Sequence, residues 1–250
     1  METQKSYYIT TEKMSVGYDG KLLIEEVEIM LRKGEILTLL GPNGAGKSTI
    51  LKSIARQLSL IAGTVRLDGE DMKSLTGAEL SKKMAVVMTK RLRAELMTCE
   101  DVVATGRYPY TGRFGVLSKD DHKAVENAME LVKVTELRNL MFDRISDGQR
   151  QRVMLARAIC QEPEILILDD SASALDFATD AALRHALREL PWCPTTFLIS
   201  QRTASIRFAD QILVLDEGRL VGRGTHDELL ETCPVYREIY DSQFKKEDAR

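Results

Sequence analysis

The chain has 250 residues, a formal net charge of −3, and 44% hydrophobic and 29% charged residues. That is enough chain for one large domain with a core that needs no disulfide or metal staple. Its mild acidity argues against a nucleic-acid binder working by bulk charge, and no apolar run approaches the ~18–20 residues that cross a bilayer.

The first ten residues (METQKSYYIT) lack the apolar segment of a secretory signal. Cys99, Cys160, Cys193 and Cys233 are scattered without a CxxC pair and are expected as reduced thiols. His122, His185 and His226 lie far apart among polar neighbours and are expected at the surface, with no metal site among them.

The first thirty residues read as extended, and Val27, Ile29 and Leu31 alternate with Glu26, Glu28 and Met30 as in a half-buried strand. Glu35 to Leu40 is an apolar run ending at Gly41, the pattern of a buried strand. A helix is expected from Lys47 to about Leu58, with Ile50, Leu51, Ile54 and Leu58 on one face. Thr64 to Asp68 and Met84 to Met88 read as short strands.

From about residue 90 to 160 the pattern is helical. Ser118 and Asp121 form a capping box ahead of Ala124, Val125, Ala128, Met129 and Val132. A second helix covers about Gly148 to Cys160. Strands and helices then alternate: Ile165–Asp169, a helix over Phe177–Leu190, Thr195–Ser200, a short helix from Thr203, and Gln211–Asp216. This order predicts an α/β fold: a mostly parallel sheet with N-terminal antiparallel strands and an inserted helical lobe. The expected division is a nucleotide-binding core of about residues 1–88 and 160–250 and a lobe of about 89–159, with only KKEDAR at the end read as a solvated tail.

Gly41, Pro42, Asn43, Gly44, Ala45, Gly46, Lys47, Ser48 and Thr49 match G-x-x-x-x-G-K-[ST], between an apolar strand and a helix. Glycines at these places let backbone N–H groups turn inward around a polyphosphate, and the helix N-terminus adds its positive end. Lys47 is the expected contact of the β- and γ-phosphates, and the Ser48 hydroxyl the expected ligand of Mg²⁺. The apolar run from Ile165 to Leu168 ends in Asp169 and Asp170. At the C-terminal edge of a parallel sheet, Asp169 is placed to hold Mg²⁺ through water and Asp170 to face the attacking water.

Ile145, Ser146, Asp147, Gly148 and Gln149 open the second lobe helix and end sixteen residues before the run Ile165–Asp170 starts. This stretch resembles the L-S-G-G-Q signature of ATP-binding cassette (ABC) ATPases, with Asp147 at the first glycine. Together with the phosphate loop and the D-loop-like Ser173–Asp176, the resemblance covers nearly the whole chain and identifies a P-loop NTPase of that family.

The resemblance implies a second cassette, in a homo- or heterodimer, with each ATP lying between one subunit's phosphate loop and the other's signature helix. Ser146, Gly148 and Gln149 then face the partner's nucleotide, and Tyr18 stacks on adenine. It also implies transmembrane permease subunits and a peripheral place at the cytoplasmic face of the cell membrane. Three positions depart from the family pattern. Thr89 stands for the Q-loop glutamine beside Mg²⁺, Asp170 for the catalytic glutamate and Gln201 for the switch histidine. Together they lead to the expectation of a slow hydrolytic site.

Two subfamilies are legible. Thr105–Pro109, Phe114–Asp121 and Gln149–Arg152 are similar to importer cassettes for iron chelates and cobalamin. From about Ile165 on, residues 170–176, 199–202, 224–229 and 234–240 look more like exporter cassettes. The lobe is where such cassettes meet the membrane subunit, so import of a ferric-siderophore-type substrate is the expected function. The alternatives are a degenerate-site cassette of a heterodimeric exporter and a regulatory pseudo-ATPase.

Overall fold

Ile36–Leu40 (β4) is buried at every position, as its unbroken apolar run requires. It lies between two parallel neighbours, Thr195–Ile199 (β9) and Gln211–Asp216 (β10), with Leu37 opposite both Phe197 and Gln211. The computed structural model that establishes this describes residues 7–87, 94–112, 114–169, 187–188, 190–199 and 207–247. The chain divides into two units, Met1–Leu75 with Thr195–Arg250, and Thr76–Pro194.

The first unit holds an antiparallel sheet and the parallel strands around β4. Ile9–Tyr18 (β1) pairs with Lys21–Val27 (β2), Met30–Leu31 (β3) and Ala62–Leu67 (β5), and β5 pairs with Glu70–Asp71 (β6). The expected alternation holds, with Val27, Ile29 and Leu31 buried, but the ladder breaks at Glu28 and Ile29 and makes two strands. Arg219–Gly224 (β11) closes antiparallel on β10. His226–Thr232 (α6) and Pro234–Glu247 (α7) lay Leu229, Cys233 and Tyr236 on Ile36, Leu40, Ile212 and Val214. Helix α7 runs three residues into the stretch read as a tail.

Lys47–Ile54 (α1) follows β4 and stops four residues short of the expected Leu58. Arg56 adopts a left-handed φ of 56°, and the N–H groups of Gln57 and Leu58 turn back onto the Lys52 carbonyl. The Arg56 guanidinium fixes this end by donating to the carbonyls of Met72 (2.8 Å) and Leu75 (2.6 Å).

The second unit has Met84–Val87 (β7) parallel to Ile165–Leu168 (β8), with Met84 opposite Ile165. Around them lie Gly77–Lys83 (α2), Cys99–Ala104 (α3), Lys119–Leu131 (α4) and Asp147–Cys160 (α5). The capping box at Ser118 and Asp121 is present as expected. Further boxes close α2 (Thr76, Glu79), α3 (Thr98, Asp101), α5 (Ser146, Gln149) and α6 (Thr225, Glu228).

Arg107 is the buried node of this unit. Its Nε donates to Asp121 Oδ1 at 2.8 Å, and its Nη1 to Glu162 Oε2 and the Cys160 carbonyl, both at 2.9 Å. The guanidinium lies 4.2 Å from the centre of the Tyr110 ring. Burial pushes the Asp121 carboxyl up, but hydrogen bonds from Ser118 and Arg107 outweigh it and hold the group down at about 2.

A further expectation is overturned. His226 is buried, not at the surface, with Nδ1 2.7 Å from the Tyr236 hydroxyl. Burial and the nearby Arg207 lower its pKa, so the neutral ring is favoured. The helices read over Phe177–Leu190 and from Thr203 lie largely outside the described residues.

Candidate functional site

The turn from β4 into α1 is shaped by its glycines. Gly41 has φ 147°, and a Cβ there would come within 2.1 Å of the Leu215 carbonyl oxygen on β10. Gly46 has φ 95°, and a Cβ there would meet Ile24 of β2 at 2.4 Å. A side chain at Gly41 would push the loop off the sheet, and one at Gly46 would crowd the Ile24 side chain at a φ that side chains rarely adopt.

Lys47 is buried, and its Nζ donates to the carbonyls of Gly41 (2.8 Å) and Pro42 (2.7 Å). The ammonium is therefore drawn back over the loop that precedes it. Within that loop the Ala45 N–H donates to the Pro42 carbonyl at 3.3 Å. Helix α1 differs from α2 to α6, because its N-cap is Gly46 and no side chain caps it. A helix N-terminus without a capping side chain, a buried lysine and the Ser48 hydroxyl together suit a polyphosphate.

Tyr18 ends β1 and faces Lys21 across a two-residue turn, Asp19 and Gly20, both at positive φ. Its hydroxyl accepts from Thr49 Oγ1 at 3.2 Å, and the residue remains 45% exposed. The hydroxyl end is thus tied to α1, and much of the residue is open to a planar ligand.

Asp169 follows β8, is buried, and anchors its own N–H on the Val87 carbonyl at 2.9 Å. The Ser48 hydroxyl and the Asp169 carboxylate are hard oxygen donors of the kind Mg²⁺ takes. Thr89, Asp170 and Gln201 lie outside the described residues.

The signature residues form the first turn of α5. Ser146 Oγ accepts the Gln149 N–H at 3.3 Å, and Gln149 Oε1 accepts the Ser146 N–H at 2.9 Å. A serine hydroxyl that accepts still has its proton to donate, so the cap and a phosphate contact are compatible. Asp147 pairs with Arg150 at 2.8 Å. Arg107 and Arg150, which organise the lobe, were not singled out in sequence. Each sat inside a motif read for its resemblance; burial distinguishes Arg107, and the bonds to Phe142, Asp143 and Asp147 distinguish Arg150.

Comparison with known proteins agrees with this geometry. The ABC transporter family model matches residues 24–173. An uncharacterized ABC transporter ATP-binding protein of Methanocaldococcus jannaschii is 37% identical over 93% of this chain and 81% of its own length. A probable siderophore transport system ATP-binding protein of Bacillus subtilis is 31% identical over 93% of this chain and 85% of its own. Among solved structures, a bacterial Atm1-family ABC exporter with ATP bound superposes with a TM-score of 0.82 at 26% identity, over 94% of this chain and 42% of that one.

Proposed function

This chain belongs to the ATP-binding subunits of ABC transporters, a family of ATPases, and we propose that it powers import of a ferric-siderophore-type substrate through separate transmembrane subunits. In this reading ATP–Mg²⁺ sits in the phosphate loop. Lys47 leaves the Gly41 and Pro42 carbonyls for the β- and γ-phosphates, Ser48 is the loop's own ligand for Mg²⁺, the family resemblance assigns Asp169 to the same ion, and Tyr18 lies against adenine. Ser146, Gly148 and Gln149 complete the site from a second cassette, which explains why a single phosphate loop need not surround the γ-phosphate. The described residues contain no helix long and apolar enough to cross a membrane; the place at the cytoplasmic face of the membrane is proposed from the family resemblance.

The observation that carries the import reading is the surface of the second unit. Phe114 is 90% and Val116 75% exposed, both in the importer-like stretch, and Leu96 ahead of α3 is 92% exposed. Apolar side chains held in water at this level suit a surface that a permease covers. Co-expression with a siderophore-class permease should yield a complex that survives purification. Phe114→Asp/Val116→Asp should lose it while keeping ATP affinity. Recovery of the double variant at the wild-type level would sink this docking surface.

A second reading has a specific observation behind it. The exporter-type likeness of residues 170–176 and the exporter structure both fit a degenerate-site cassette paired with an active one. A complex with an exporter-class membrane domain, and none with the siderophore-class permease, would favour it.

A further inference from the structure

The signature turn carries a carboxylate where the family pattern has glycine, and that carboxylate is not left to itself. Asp147 is the first residue of α5, between Ser146 and Gly148. Its Oδ1 accepts from Arg150 Nη1 at 2.8 Å. The Arg150 side chain is only 25% exposed, and each of its three nitrogens donates a hydrogen bond. Nε donates to the Phe142 carbonyl at 3.2 Å and Nη2 to the Asp143 carbonyl at 2.6 Å. Three acceptors thus hold one planar cation beneath the turn.

A carboxylate at this place opposes a phosphate in two ways. It carries a like charge one residue away from Ser146 and from Gly148. It also competes for the positive end of α5, which favours any anion at the first turn. A glycine would do neither. We infer that Arg150 is a positioning residue for the composite ATP site: it keeps the Asp147 charge paired so that a triphosphate on a second copy can approach the signature turn. The inference rests on the composite-site reading above. Its content is specific to this chain, because a cassette with glycine at this position has no charge to compensate.

A purely structural role for Arg150 is the competing explanation, since the same fork ties Phe142 and Asp143 to α5. Charge and anchoring separate in a double-mutant cycle. Arg150→Gln removes both. Asp147→Asn removes the charge at constant shape. The quantity to measure is the dissociation constant of the dimer formed by the full chain with a non-hydrolysable ATP analogue and Mg²⁺, by analytical ultracentrifugation.

Arg150→Gln should weaken the dimer at least tenfold. Arg150→Gln/Asp147→Asn should return to within about threefold of wild type, although it lacks the same anchors. Thermal melting without nucleotide should give both variants similar midpoints. A single variant that dimerises like wild type, or a double variant as weak as the single, overturns the inference. A wild-type chain that stays monomeric with the analogue overturns the composite-site reading itself, and the inference with it.

Discussion

Ser146 and Gln149 cap each other: the serine hydroxyl accepts the glutamine N–H at 3.3 Å, and the glutamine side chain accepts the serine N–H at 2.9 Å. Two residues that the family resemblance assigns to a partner's nucleotide therefore also fix the start of the helix that carries them. The cap orients the hydroxyl in advance, so docking a nucleotide demands little reordering of this turn.

Ser146→Arg should accordingly separate two functions. ATP affinity of the single chain should stay within about twofold of wild type, because the phosphate loop is untouched. The ATP-dependent dimer should be lost, since a bulky cation replaces the hydroxyl. The variant should also lose about 1 kcal/mol of stability with the cap. Light scattering with ATP–Mg²⁺ and thermal melting check the two effects, and normal dimerisation contradicts the assignment.

Arg107 and Asp121 form a buried pair at 2.8 Å. Asp121→Asn removes one of the two carboxylates on the Arg107 guanidinium, Glu162 remaining at 2.9 Å, and should cost about 2 kcal/mol. The pH dependence has a definite sign. The folded carboxyl titrates near 2, below its unfolded value. Its contribution is complete above about pH 4 and is lost as pH falls towards 2. Wild type should therefore lose more stability than Asp121→Asn between pH 4 and 2 in denaturant titrations, and parallel curves would show that the pair contributes nothing.

Hydrolysis should be slow. Asp170 has one methylene fewer than the family's glutamate, which shortens the reach of a carboxylate at this position by about one C–C bond, ~1.5 Å. A displacement of that order weakens general-base help by up to about a hundredfold. Gln201 can donate a hydrogen bond but cannot become cationic. Steady-state ATPase of Asp170→Glu/Gln201→His should exceed the parent at least tenfold. A parent already as fast as the double variant would show that these departures are tolerated.

The strands around β4 and the phosphate loop were legible because each carries its own signal: an unbroken apolar run, or glycines at fixed spacing. The end of α1 was not. Ile54 to Leu58 keeps helical spacing, and the stop comes from Arg56 bonding to Met72 and Leu75, residues distant in sequence. Helices α2, α3 and α6 have only six or seven residues, too short to show an apolar period. Their capping boxes were the available signal, the same one that marked Ser118. Polar neighbours suggested an exposed His226, but Tyr236, ten residues on, buries it. At the site, the sequence named Lys47, Tyr18 and the signature residues. It did not reveal that Ser146 and Gln149 cap their own helix, or that Asp147 has a partner.

The proposed function depends on Gly41 to Thr49 holding ATP through Lys47. Equilibrium titration of the purified chain with a fluorescent ATP analogue and Mg²⁺, beside Lys47→Ala, tests it most directly. Wild type should bind, and the variant should bind at least tenfold more weakly, about 1.4 kcal/mol or more. Equal affinities would show that Lys47 does not hold the nucleotide.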